Sequence, residues 1–118
     1  MKANSLPKDA DRLLAVAEDV AMLLEENRYE FGIGIDVEAM LRASISAATF
    51  SINSYLGVLV GAGKSAVADS HVTEAKRRCD RSMKNLRRRV LRTIAEVHRR
   101  TNSNELNRAE QYVRSLAT

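Results

Sequence analysis

Residues 43–63 read ASISAATFSINSYLGVLVGAG and contain no Asp, Glu, Lys or Arg, although these types form 29% of the 118-residue chain. Arg42 and Lys64 bound the stretch. Apolar residues recur along it, and just before it, at the three- and four-residue steps of an α-helix. This row is Leu41, Ile45, Ala48, Ile52, Tyr55 or Leu56, and Leu59. We predict a helix that starts at Asp36, as its N-cap, and runs towards Val60.

A second row on the same helix consists mainly of small residues. Its members are Ser44, Ala47, Ser51, Ser54 and Val58. Neither row carries a charge, so we expect this helix to be covered on both sides. The small row permits another backbone to approach closely. The helix is therefore predicted to lie at the centre of the fold and to favour self-association.

The remaining chain supplies three further helices. The first is predicted over residues 7–27 or 7–29, because Pro7 suits an opening turn. The third begins at residue 66 or 70, after Gly63, and continues to Arg100. The fourth follows the turn TNSN, where Asn102 and Glu105 have capping-box spacing. We predict a small antiparallel all-α bundle of four helices, or a three-helix bundle with a loosely attached C-terminal helix.

Length and composition indicate one domain over residues 1–118, with residues 1–6 as a frayed tail. The single cysteine, Cys79, cannot form an internal disulfide, and the polar beginning does not look like a signal peptide. The charge-free stretch is long enough to cross a bilayer, yet it holds four Ser, one Thr and one Asn. We predict a cytoplasmic protein with no membrane partner.

Charge is distributed very unevenly along the chain. Residues 1–62 contain nine acidic and five basic side chains, whereas residues 63–118 contain six acidic and fourteen basic ones. Eleven of the basic residues fall between residues 76 and 100, where there are only two acids. Such asymmetry bears on partners rather than on fold.

The third predicted helix separates apolar and basic residues onto opposite sides. Its apolar stripe is Val72, Ala75, Cys79, Met83, Leu86, Val90, Ile94 and Val97. Almost opposite lies a basic row of six residues, Arg77, Arg81, Lys84, Arg88, Arg92 and Arg99. We predict that this basic row binds nucleic acid, DNA or RNA, through backbone contacts that tolerate any sequence. The alternative is a protein-binding adaptor or inhibitor whose basic side meets an acidic protein.

The segment Gly61-Ala62-Gly63-Lys64-Ser65 has the ending of a phosphate-binding loop. The full pattern requires a glycine where the chain has Val58, and it requires a strand before the loop rather than a helix. We therefore interpret the segment as a turn between helices, with Gly63 as C-cap and Ser65 as N-cap.

Other catalytic or metal-binding patterns are sparse. His71 and His98 lack companion ligands, so we predict no metal and no cofactor. Arg92 and His98 resemble the Arg-x₄₋₆-His motif of HEPN ribonucleases, which are also small helical bundles. In layout and charge the chain is also similar to the small basic four-helix accessory proteins of diversity-generating retroelements. Our prediction is a non-enzymatic accessory protein that forms homo-oligomers.

Overall fold

A computed structural model describes residues 9–63 and 69–116, and all regular secondary structure in these ranges is helical. The elements are α1 (Ala10–Glu26), α2 (Arg28–Phe31), α3 (Ile35–Gly63), α4 (Asp69–His98) and α5 (Asn104–Ser115). The predicted all-α bundle is confirmed, and the short α2 is an addition to the four expected helices. The bundle is elongated, with extents of 53 × 26 × 16 Å. The predicted tail, Pro7 and the Lys64-Ser65 turn lie outside the described residues.

Helices α3 and α4 form the main antiparallel pair. The hydroxyl oxygens of Ser51 and Ser82 lie 2.8 Å apart, while Arg100, near the end of α4, donates to the carbonyl oxygen of Gly32, just before α3. The C-terminal end of α4 therefore lies beside the N-terminal end of α3, as in an antiparallel pair. Ser51 belongs to the small row of α3, which permits the close approach to Ser82. Helix α1 packs on both α3 and α4, and α5 packs on α4 and α1.

The core consists of the apolar stripes that the sequence indicates. On α3, Tyr55 is fully buried whereas Leu56 is 41% exposed, so Tyr55 continues the core row. The α4 stripe is buried throughout except at Ala75, which is half-buried. Leu106 and Val113 bury one side of α5, and Leu116, just after the helix, is buried as well. Burial of this apolar surface is the main favourable contribution to the free energy of folding.

Helix α3 starts two residues earlier than predicted. Asp36 was expected as the N-cap, but α3 begins at Ile35 and Asp36 lies in its first turn. The carbonyl oxygen of Gly34 already accepts the Val37 N–H at 3.3 Å, so the first turn forms ahead of Asp36. At the other end α3 continues past Val60 to Gly63.

The cap of α5 is displaced by one residue. Ser103, not Asn102, is the N-cap, and its hydroxyl accepts the backbone N–H of Leu106 at 3.2 Å. The backbone of Ser103 is extended, as an N-cap requires. The Asn102 side chain instead accepts a hydrogen bond from Asn107 at 3.1 Å.

A buried carboxylate holds the α2–α3 junction together. Glu38 is 8% exposed and accepts hydrogen bonds from Arg28 at 2.7 Å and from Arg42 at 2.6 Å. These two guanidinium groups, Arg42 first, lower the pKa of Glu38. Arg42 also reaches Glu25 of α1 at 3.0 Å. The network therefore fixes α1, α2 and α3 against one another.

The outer side of α3 is not covered by any other described part of the chain. Both uncharged rows of this helix were expected to be covered, and the apolar row is buried apart from the half-buried Leu59. The small row is covered only in part, since Ser44, Ser51 and Val58 are half-buried whereas Ala47 and Ser54 are exposed. Beside this row, Phe50 is 73% exposed. The bundle has too few helices to enclose α3, because α1 and α4 both pack on its inner side. Over Ile35–Gly61, α3 is long and apolar enough by length and composition to cross a membrane.

Candidate nucleic-acid interface

Helix α4 carries its apolar and basic residues on different sides of one rigid element. Its 30 residues extend over about 45 Å at the usual rise per residue. The buried stripe fixes the rotation of α4 against α3, α1 and α5, so the opposite side must face water. The packing of the apolar stripe in the core therefore determines that the basic side faces solvent.

All six residues of the predicted basic row are exposed. They are Arg77, Arg81, Lys84, Arg88, Arg92 and Arg99. They differ, however, in their partners, and this difference divides the row into two ends and a centre.

Carboxylates pair with the basic residues at the N-terminal end of α4. Glu74 binds Arg77 at 3.0 Å and Arg78 at 3.1 Å, and Asp80 binds Lys76 at 3.3 Å. These pairs have i,i+3 or i,i+4 spacing, which brings side chains together on a helix. The positive charge at this end is partly neutralised.

The C-terminal end of α4 has a similar arrangement. Glu96 lies 3.3 Å from Arg99 and 3.8 Å from Arg100. Arg100 also donates to the carbonyl oxygen of Gly32, which ties this end to the α2–α3 turn. Arg99 and Arg100 are therefore engaged within the chain.

The centre of the row has no carboxylate partner in the described part of the chain. Arg81, Lys84, Arg88 and Arg92, hereafter the central ridge, form no salt bridge with any described residue. Arg88 has one side-chain hydrogen bond, at 3.4 Å, and its acceptor is the neutral amide of Asn85. No acidic residue occurs between Asp80 and Glu96 in the sequence. The central ridge is thus a surface of uncompensated positive charge.

The spacing of the central ridge follows from helix geometry. Steps of three, four and four residues keep these side chains on one face, and the ridge extends over roughly 16 Å. Three of its four members are Arg, whose planar guanidinium suits bidentate contact with phosphate. The arrangement can neutralise several anionic groups placed along a line.

A cleft adjoins the ridge at Arg92. It has a volume of about 370 Å³ and lies between the start of α3 and the C-terminal half of α4. Arg89, which the sequence prediction left out of the site, lines this cleft with Arg92 and the buried Thr93. Only the packing of α3 against α4 brings these residues together around one cleft, so the sequence alone does not identify the cleft.

A second groove has a different character. It lies between α1 and α5 and encloses about 800 Å³. Four acidic residues line it against two basic ones; they are Asp11, Asp19, Glu26, Glu105, Arg12 and Arg108. This groove is unsuited to phosphate, and the basic face of α4 is the better candidate site.

The candidate catalytic features are not brought together. Arg92 is exposed and His98 half-buried, and their separation of six residues places them about 120° apart around the helix. Within the described residues no group of three or more His, Cys, Asp or Glu side chains could hold a metal ion. Cys79 is buried, and burial raises the pKa of its thiol. It belongs to the core, as predicted.

Comparisons with models of protein families, with curated proteins and with solved structures found no match to this chain.

Proposed function

We propose that the protein is a non-enzymatic accessory protein that binds nucleic acid through the central ridge of α4. The observation that supports this proposal is that four exposed cations on consecutive turns have no carboxylate partner among the described residues. Elsewhere on α4 the carboxylates of Glu74, Asp80 and Glu96 compensate their neighbours. Unpaired cations repel one another, so they lower the stability of the free protein. A polyanionic ligand would remove that repulsion.

Backbone contact is the expected mode of binding. The ridge consists of long, flexible cations on the outside of a 30-residue helix that packs along the bundle, and no short recognition helix projects from it. Each cation would displace a counterion from the phosphate backbone, and this release favours association without reading bases. Affinity should therefore depend strongly on salt and weakly on sequence.

The test is a titration of fluorescently labelled duplex and single-stranded DNA and RNA at about 50 mM and about 200 mM salt. We expect tighter binding at the lower concentration, with a logarithmic slope near −0.9 for each ridge contact on duplex DNA. No binding at the lower concentration, where the electrostatic contribution is strongest, would refute the proposal.

A pair of matched variants identifies the surface responsible. The first replaces the central ridge, as Arg81→Ala, Lys84→Ala, Arg88→Ala and Arg92→Ala. The second removes the same number of positive charges from ion-paired positions outside the predicted basic row, as Arg12→Ala, Lys76→Ala, Arg78→Ala and Arg114→Ala. Both should stay helical, because alanine favours helix.

The ridge variant should lose most of its affinity and about three to four units of salt slope on duplex DNA, while the control loses much less. Equal losses would show that net charge, not the ridge, governs binding. Titration with polyglutamate tests the alternative: ridge-dependent binding to this polymer alone, and none to nucleic acid, would identify an acidic protein as the partner.

A further inference from the structure

The outer side of α3 has the residue spacing of a coiled-coil seam. Six positions repeat with alternating steps of three and four: Ala43, Ser46, Phe50, Asn53, Gly57 and Val60, hereafter the outer seam. In heptad terms Ala43, Phe50 and Gly57 are the a positions, and the other three are the d positions. All six are exposed, and none carries a charge.

Nothing in the described chain covers this seam. Phe50 is 73% exposed and Val60 is 60% exposed, which is unusual for large apolar side chains on one face. A Cβ atom added at Gly57 would meet no atom within 4 Å. The seam is therefore an unoccupied surface along about 26 Å of helix, at the usual rise per residue.

The sequence of the seam is self-complementary when two copies run antiparallel. In that arrangement each a position lies opposite a d position of the other helix. Ala43 then faces Val60, Ser46 faces Gly57, and Phe50 faces Asn53. A larger residue meets a smaller one in the outer layer, where Val60 faces Ala43, and in the central layer, where Phe50 faces Asn53. In the layer between these two, Ser46 and Gly57 are small and let the backbones approach closely.

The centre of this pairing falls between Phe50 and Asn53. The two Asn53 side chains are offset by about three residues along the helices, or ~4.5 Å, which brings the amides within hydrogen-bonding reach. A polar residue within an apolar seam favours one register over the alternatives. The pairing thus has a feature that fixes its alignment.

Charge also favours a second copy at this face over the two other described surfaces that could meet a partner. The exposed side of α4 carries positive charge without ion-pair partners among the described residues, so two copies would repel each other there. The groove between α1 and α5 is bordered by carboxylates. The six seam positions carry no charge, and the neighbouring charged residues near Phe50, Glu74 and Arg78, have opposite signs.

A bilayer is a poorer occupant of the seam. Helix α4 packs against α3 along its length, as the contact between Ser51 and Ser82 illustrates. Insertion of α3 would carry the Arg-rich α4 towards the hydrocarbon, and charged groups there are costly. The Arg-rich α4 beside α3 therefore favours a partner in water over a bilayer.

We propose that the outer seam of α3 is the interface of an antiparallel homodimer. A single helix pair covers less than the ~800 Å² per partner of a standard interface, so the dimer should be weak and concentration-dependent. The proposal does not depend on nucleic-acid binding, because the seam and the central ridge lie on different helices.

Sedimentation equilibrium and light scattering from about 5 to about 300 µM test the dimer, because self-association follows mass action. We expect the mass to rise towards twice the 13.1 kDa of the chain. Phe50→Glu should remain a monomer throughout, whereas Tyr29→Glu, at a residue 98% exposed on α2, should behave as the natural chain. A circular-dichroism spectrum confirms that each variant is helical.

A natural chain that stays monomeric at the highest concentration would overturn the proposal, as would a dimer that Phe50→Glu leaves intact. Binding to neutral lipid vesicles by a monomeric chain, abolished by Phe50→Glu, would identify a bilayer as the occupant instead.

Disulfide cross-linking tests the orientation. Mixing an Ala43→Cys variant with a Val60→Cys variant under mild oxidation should give mainly the mixed disulfide, because these positions face each other only in the antiparallel pair. The natural Cys79 is buried and should not interfere. Disulfides joining two Ala43→Cys chains would contradict the antiparallel register, and Asn85→Cys on α4 measures random collision.

Discussion

Glu38 accepts a 2.7 Å hydrogen bond from Arg28, which joins α2 to the first turns of α3 across ten residues of chain. The carboxylate is almost fully enclosed, and its other oxygen is bound by Arg42 at 2.6 Å. A buried carboxylate is stable only when such partners compensate its loss of water. In this cluster one enclosed carboxylate is held by two guanidinium groups that remain partly exposed.

The folded protein should lose stability in acid through Glu38. Because the pKa of Glu38 is lowered in the folded state, its contribution is present above the unfolded value near 4.5 and is lost as pH falls through the folded pKa. Urea unfolding at pH 7 and at about pH 3 measures the difference. Glu38→Gln should be less stable at pH 7 and should show a smaller further loss in acid.

Glu18→Gln, at an exposed carboxylate of α1, is the control for this experiment. If the natural chain and Glu38→Gln lose equal stability on acidification, the buried cluster is not the source of the acid sensitivity.

Cys79 should be unreactive in the native protein. Its side chain is fully buried, and burial raises the pKa of the thiol, so little nucleophilic thiolate forms at neutral pH. An aromatic disulfide reagent should modify the native chain far more slowly than the chain unfolded in urea. Fast modification without denaturant would show that the α3–α4 contact opens readily.

Gly57→Ala should stabilise the monomer by about 0.5–1 kcal/mol, because glycine inside a helix has a larger conformational entropy to lose than alanine. The site has room, since an added Cβ would touch nothing within 4 Å. The comparison is best made in a Phe50→Glu background, which excludes self-association at the same face. Destabilisation there would contradict the open position of Gly57.

Ser103→Ala should destabilise the protein by about 1 kcal/mol, because it removes the acceptor for the first turn of α5. Asn102→Ala should cost less, since the Asn102 side chain bonds only to the exposed amide of Asn107. Chemical denaturation of both variants distinguishes the two candidate caps. A larger loss from Asn102→Ala would restore the cap predicted from spacing.

The interior and the basic row could be predicted because both follow from the period of single helices. The α4 stripe that includes Met83 and Leu86 is buried as expected. The basic row lies on the opposite face, because the helical period determines the directions of the apolar and the basic side chains together. Even the pairing of Glu74 with Arg77 and Arg78 can be inferred from spacing.

Features that depend on contacts between helices could not be predicted. Spacing alone favoured Asn102 over Ser103, since neighbouring polar residues can each cap a helix and the turn geometry selects one. The placement of Arg89 beside Arg92 in a cleft requires the start of α3 to pack there. The partial exposure of the small row on α3 could not be predicted, because no local pattern counts how many neighbours a helix will have.

The continuity of α4 over 30 residues has a consequence for whatever binds it. The Cα atoms of the four ridge cations lie on one continuous helix, so their separations cannot change without breaking backbone hydrogen bonds. Only the ends of the side chains can adjust to a ligand. Any larger adjustment must therefore come from the conformation of the ligand. Flexible single strands can align their charges with these cations at little cost, whereas any bending that a stiff duplex needs for the same contacts carries an energetic penalty. Discrimination between ligands would thus come from their flexibility rather than from the identity of their bases.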